Sequence, residues 1–167
     1  MATLSKFAVI FLVDRKTLEA YNHSPDFYTE QFNQVIPERL YALAGIYFHQ
    51  QKEILDIGAG IGRDLHYFKQ LGFAVKGVEP VKAFREQCQR LDPTLAVIDD
   101  SLPELKQIKT EFANVLISAV LMHIEGHQLI ESIISIIRVT AEGGRMVLSI
   151  RGSRDEQRER ESDGRLY

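Results

Sequence analysis

The sequence predicts an α/β fold of the doubly wound kind: a mostly parallel sheet in the strand order 3-2-1-4-5, with helices ahead of its first strand. Three observations predict it. Residues 53–64 read EILDIGAGIGRD: Ile54, Leu55 and Ile57 suit a buried strand, glycines follow at 58, 60 and 62, and Leu65, Phe68 and Leu71 continue at helical spacing. Strand, glycine-rich turn and helix form the opening unit of such sheets, and the turn is where they bind nucleotides. Further apolar strand candidates then alternate with helix-period segments as far as Ile150, the pattern of a parallel sheet. Lastly, Glu79 ends the second strand 21 positions after Gly58, where an acid can accept hydrogen bonds from ribose hydroxyls.

A chain of 167 residues makes one domain, long enough for a real core. Its hydrophobic content of 45% with 26% charged residues is ordinary for a soluble globular protein. A net charge of −3 argues against a nucleic-acid surface, which needs a basic excess. The single cysteine, Cys88, cannot pair internally and fits a reducing compartment, so a cytoplasmic location is expected. Phe7 to Val13 is an apolar run too short to span a bilayer and followed by Asp14 and Arg15 without a small-residue cleavage site. It reads as a buried strand or helix edge, and no membrane association is expected.

Residues 14–50 read as helical. Asp14 can cap a segment containing Leu18 and Tyr21; Ser24-Pro25-Asp26 supplies a capping hydroxyl, a first-position proline and a first-turn acid; Pro37 opens a segment with Leu40, Leu43, Ala44 and Tyr47 on one face. The glycine turn follows. A dinucleotide fingerprint would require glycine at position 63, which is Arg63. Asp56 stands two residues before Gly58, and a carboxylate there suits a cationic ligand and repels a pyrophosphate. A tight turn that merely fits helix to strand is the plainer alternative. The position of Glu79 supports an adenosine-type ligand, a nicotinamide cofactor among them, without choosing its class.

The next helix puts Val81, Phe84, Cys88 and Leu91 on one stripe, which makes Cys88 a small core residue. Leu95, Val97 and Ile98 form the third strand, closed by Asp99-Asp100-Ser101, which also reads as a capped turn. Ala113 to Val120 is the fourth strand, and Leu121-Met122-His123-Ile124 follows it. His127 to Thr140 is a helix apolar around much of its circumference, so it needs cover on more than one side. Ala141 to Gly144 turns the chain into a fifth strand, Arg145 to Ile150. Arg151 to Tyr167 alternates acids and bases and reads as a solvated helix or a disordered end.

Five ordered signals together resemble the class I S-adenosylmethionine-dependent methyltransferases, a Rossmann-like family: the acidic glycine turn, Glu79, the acids after the third strand, SAVLMHI (Ser118 to Ile124) and GGRMVLSI (Gly143 to Ile150). The resemblance covers about residues 14 to 151. It implies a single domain over 1–167, divided into a helical lid (14–50), a cofactor-binding core (51–151) and a polar tail (152–167). It implies S-adenosyl-L-methionine as cofactor, with Asp56, Gly58, Ala59, Gly60 and Gly62 at its amino-acid end. Arg63 and Asp64 would be carboxylate partners or support them. Glu79, with Pro80, would take the ribose, Asp99 or Asp100 the adenine, and Ser118, Ala119 and Val120 the methyl-bearing sulfur. The run Tyr21 to Tyr28 resembles the family's cofactor lid, although each tyrosine alone reads as a packing residue.

The reaction implied is in-line displacement on a sulfonium, in which alignment and exclusion of water supply roughly 7–11 kcal/mol. No triad or metal-ligand spacing is present in the sequence, and no metal is expected. His123 is the candidate base or orienting group for a small-molecule acceptor; hydrogen bonding to a loop or to the cofactor carboxylate is its blander role. The family's last helix and two strands have no counterpart here. The chain is then a short form, a fragment, or one completed by a second copy through its exposed fifth-strand edge. A module that binds cofactor without catalysing, and a nicotinamide-dependent oxidoreductase, are the competing functions.

Overall fold

The computed structural model describes residues 14–150 and 162–166. Its centre is a five-stranded sheet in the order β3-β2-β1-β4-β5, built from β1 (Ile54–Ile57), β2 (Val75–Val78), β3 (Ala96–Ile98), β4 (Phe112–Ser118) and β5 (Thr140–Ser149). Every neighbouring pair is parallel. Helices α1 (Arg15–His23), α2 (Pro25–Asn33) and α3 (Glu38–Tyr47) precede the sheet; α4 (Arg63–Gln70), α5 (Lys82–Leu91) and α6 (Leu129–Val139) connect its strands. The predicted strand order and fold class are those observed.

Both sheet faces are covered, and strand alternation decides which side chain goes where. Leu55, Ile57, Val115 and Ile117 face Ile136 and Val139 of α6 and the loop residues Leu102, Leu105 and Ile108. Ile54, Leu116 and Val147 face the opposite way, onto Leu40, Tyr41 and Ala44 of α3 and Phe68 of α4. Residues of this class contribute about 1.5–3 kcal/mol each when fully buried, so β1 and β4, clad on both sides, are the rigid centre. Asn114 on β4, fully buried, accepts from the His49 amide (2.8 Å) and donates to the carbonyls of His49 (2.9 Å) and Lys52 (3.2 Å). That clamp fixes the chain entering β1.

Several local expectations are corrected. Ser24 makes no side-chain cap; its amide instead closes α1 on the Ala20 carbonyl, so it is the joint between two helices. Asp14 does cap α1, accepting from the Thr17 amide and hydroxyl (2.8 and 2.7 Å). The fourth strand stops at Ser118, because Ala119 adopts a left-handed φ of 55° and residues Leu121–His123 form a 3-10 turn. The turn expected at 141–144 lies inside β5 as a bulge: between Phe112↔Thr140 and Asn114↔Arg145, β5 has four residues where β4 has one.

Helix α6 departs most from expectation. It buries Ser132, Ser135, Ile136 and Val139, and its serine hydroxyls bond the Gln128 and Glu104 carbonyls. Ile130, Ile134 and Ile137 are 73%, 61% and 62% exposed, so the further cover is not found among the described residues. Met146, Leu148 and Ile150 are likewise partly exposed along β5, the sheet's edge.

The apolar run Phe7 to Val13 and most of the polar tail lie outside the described residues. Within the tail, residues 162–166 are not a solvated end: the Leu166 amide donates to Thr17 Oγ1 (2.9 Å) and Asp163 accepts from the Tyr28 hydroxyl (2.8 Å). This short segment docks on α1 and α2.

Candidate cofactor and acceptor site

A cavity of about 400 Å³ opens at the carboxyl ends of β1 and β4, the switch point of the strand order, where doubly wound sheets bind ligands. Its floor is the glycine turn. The Gly58 and Ala59 amides both donate to the Val78 carbonyl (2.8 and 2.9 Å), which ties the turn to β2. Gly58 (φ 75°) passes so close to the segment after β4 that an added Cβ would lie 2.5 Å from Val120 Cγ2. Gly60 (φ 55°) is the opposite case: nothing lies within 4 Å of where its Cβ would stand, so the backbone is bare toward the cavity. Gly62 caps α4 from the left-handed region.

Glu79 reaches back over this turn. Its Oε2 accepts from the Gly60 amide (2.8 Å) and its Oε1 from the Val81 amide (2.7 Å). Burial pushes its carboxyl up to about 7, against the lowering effect of those two amides. A carboxylate offers about four acceptor positions, so two remain for a ligand's hydroxyls. Pro80 also lines the cavity, and its carbonyl, like that of Glu79, accepts from Arg85 Nη1.

Asp56 is placed differently from its neighbours. It is buried on β1 and is not on the cavity wall, and neither carboxylate oxygen has a partner. Burial, reinforced by Asp64, holds its carboxyl well above the usual range. Asp64 accepts from Tyr41 (2.6 Å) and from Arg63 Nε (2.7 Å), and Arg63 Nη1 donates to the Phe32 and Val35 carbonyls (3.2 and 2.8 Å). Arg63 therefore bolts the end of α2 to the start of α4.

Of the two acids after β3, Asp100 lines the cavity and Asp99 does not. Asp99 is exposed and pairs with Arg85 (2.8 Å). The Asp100 carboxylate accepts from the amides of Ser101, Lys106 and Gln107, so the capped turn is real and an acid faces the cavity as well. Ser118, Ala119 and Val120 form the wall opposite; the Ala119 amide is held by Ser149, through its carbonyl and hydroxyl oxygens (3.1 Å each). Cys88 is buried, its thiol pushed up to about 12 by burial, and it donates to the Gly60 carbonyl (3.2 Å). It packs and does not react.

His123 stands at the far end. Its Nδ1 lies 2.8 Å from the Leu166 carbonyl and its Nε2 lies 3.0 Å from the Tyr21 hydroxyl. Arg165 covers the faces of Tyr21 and Tyr28 at 5.4 and 4.8 Å and pairs with Asp163. Sequence reasoning placed Tyr21 only in the lid run Tyr21 to Tyr28, as a packing residue, and did not select Arg165 or Leu166. The only available signal was Leu166-Tyr167, an apolar pair ending an otherwise charged stretch. No cluster able to hold a metal ion, and no helix long and apolar enough to cross a membrane, occurs among the described residues.

Residues 28–165 match a family model described as a methyltransferase domain. The chain belongs to this methyltransferase family. Its sheet is the Rossmann-like one of class I members, and solved structures of similar fold agree. The Burkholderia thailandensis 1,6-didemethyltoxoflavin-N1-methyltransferase, solved with 1,6-didemethyltoxoflavin and S-adenosylhomocysteine, is 22% identical, with a TM-score of 0.70 over 100% of this chain and 74% of that one. The plantazolicin methyltransferase BpumL, solved with a pentazolic desmethylPZN analog and S-adenosylhomocysteine, is 18% identical, with a TM-score of 0.63 over 81% and 58%. The glycopeptide N-methyltransferase MtfA is 18% identical, with a TM-score of 0.58 over 66% and 51%. The chain thus spans about half the length of that last enzyme. No curated protein is similar enough in sequence to count as a match.

Proposed function

We propose that this methyltransferase domain binds S-adenosylmethionine in the cavity above the glycine turn and methylates a small-molecule acceptor. The observation that carries the reading is the pairing of a bare Gly60 backbone with a buried Glu79 that keeps acceptor capacity beside it. The cofactor, when bound, supplies a methyl group already activated on a sulfonium.

The chain's own residues then bind, orient and exclude water. Glu79 would accept the ribose hydroxyls, and Asp100 or the backbone around it would meet the adenine. Gly58, Ala59 and Gly60 offer the surface for the amino-acid end. Ser118 to Val120, apolar apart from one hydroxyl, would flank the reacting carbon and keep water from it. Asp56, buried under the turn and off the cavity wall, does not line the space that the cofactor would fill. A dinucleotide is disfavoured because Arg63, in place of a third glycine, is committed to Asp64 and to α2.

Calorimetry with S-adenosylmethionine tests the assignment. Glu79→Ala should weaken binding tenfold or more; unchanged affinity would remove the site.

A further inference from the structure

We propose that Tyr21 and His123 form a proton-accepting pair for the methyl acceptor, and that the acceptor is a weakly acidic N–H or O–H compound, such as a heteroaromatic N–H, a phenol or an enol. This rests on the methyltransferase reading of the same cavity.

Hydrogen-bond chemistry fixes the pair's polarity. A carbonyl oxygen can only accept, so the 2.8 Å contact to Leu166 requires the proton on His123 Nδ1. Burial lowers the imidazole's affinity for a second proton, although the Leu166 carbonyl opposes this, so Nε2 is a free acceptor. The Tyr21 hydroxyl, 3.0 Å away, must therefore donate to Nε2. That leaves the phenol oxygen as an acceptor. Arg165 Nη1 lies 3.4 Å from it, and both Tyr21 and His123 line the cavity.

The proton path follows. The acceptor's X–H proton passes to the Tyr21 oxygen while the Tyr21 proton passes to His123 Nε2. The electron pair left on X forms the X–CH3 bond, and the pair of the broken methyl–sulfur bond stays on sulfur. The imidazolium afterwards loses its proton to solvent. Arg165 stabilises negative charge developing on X, which selects a neutral acid over an ammonium. The other charged groups facing the pair are Asp163 and Asp14, toward His123, and Asp163 and Glu79, toward Tyr21. None of them lies between Tyr21 and His123, which bond directly.

The test uses S-adenosylhomocysteine to fill the cofactor site and 4-nitrophenol as the acidic probe, read by its absorbance. Calorimetry first establishes that S-adenosylhomocysteine binds; failure there sinks the methyltransferase reading and the pair with it. On the loaded protein, 4-nitrophenol should bind as its anion, with an apparent pKa about one unit below the free value, a tenfold shift in its ionisation. Tyr21→Phe, which keeps the ring packed, and His123→Gln should each abolish that shift while S-adenosylhomocysteine still binds. Nitrogen-15 NMR of the wild-type histidines should show the Nδ1–H tautomer for His123, with an Nε2 shift that moves in Tyr21→Phe. A probe that fails to bind, binds as the neutral phenol, or ionises equally in Tyr21→Phe overturns the proposal, as does an Nε2–H tautomer.

Discussion

The Gly60 amide donates to Glu79 Oε2 at 2.8 Å, so the turn that would hold a cofactor is pinned by an acid whose own ionisation lies near 7. The folded-state value stands above the unfolded one, so between about 4.5 and 7 the folded protein holds more protons than the unfolded chain. Stability from this group is therefore present at low pH and is lost as pH rises through 7, by roughly 3 kcal/mol at most. Asp56 acts in the same direction. Thermal unfolding of the ligand-free protein should show Tm falling from pH 5 to pH 8, and Glu79→Gln should flatten that fall.

Ligand affinity should run the other way. Hydroxyl donors favour the ionised carboxylate, so S-adenosylhomocysteine should bind more weakly as pH drops below 7. Calorimetry in two buffers of different ionisation enthalpy should show protons released on binding near pH 7. No release would mean that Glu79 does not meet the ligand.

Gly58 and Gly60 should fail for different reasons. Gly58→Ala drives a methyl group to 2.5 Å from Val120 at a left-handed φ of 75°, and should cost about 1–3 kcal/mol of stability through overpacking beyond about 1–2 kcal/mol for the backbone. Adding Val120→Ala should return part of it. Gly60→Ala meets no atom and should cost only about 1–2 kcal/mol for its left-handed φ, yet its methyl enters the cavity. Chemical denaturation and calorimetry together separate the two: the first variant loses mainly stability, the second mainly affinity.

Removing Arg63 should loosen the lid. Arg63→Ala deletes the donors that hold the Phe32 and Val35 carbonyls and strips Asp64 of its cation, which together should cost about 1–3 kcal/mol. Hydrogen exchange should accelerate in α2 and leave β1 and β4 protected. Uniform acceleration across the sheet would contradict the local role of this residue.

On α6, neighbouring isoleucines should behave unlike each other. Ile136→Ala empties a site packed against Val139 and Leu105 and should cost about 2–5 kcal/mol. Ile137→Ala, at a position 62% exposed, should change stability by less than about 0.5 kcal/mol. Equal costs would show that Ile137 is covered in solution.

The sheet and the glycine turn were legible because their signals are local. Ile54, Leu55 and Ile57 announce a buried strand within four residues, with Asp56 inside that run, and Glu79 stands at the end of the next. The orientation of α6 was not legible, since seven apolar residues swamp the two serines that face inward, where the Gln128 and Glu104 carbonyls receive them. The Asn114 clamp left no trace, because an asparagine within a strand has no periodic meaning. Nor did the Tyr21–His123 contact, which joins residues 102 positions apart. Such contacts depend on how helices dock, and apolar periodicity does not encode that.

The docking of residues 162–166 onto α1 and α2 means that the imidazole at the site is gripped from both sides of the sequence: Tyr21 on one nitrogen, Leu166 on the other. Translation proceeds from Tyr21 toward Leu166, so a nascent chain can assemble the glycine turn and all five strands while this histidine still lacks its second partner. His123 and Leu166 lie 43 positions apart, so this contact waits until the chain between them has been made. The glycine turn and its sheet can thus form before the imidazole of the proposed pair is locked in one tautomer by Leu166.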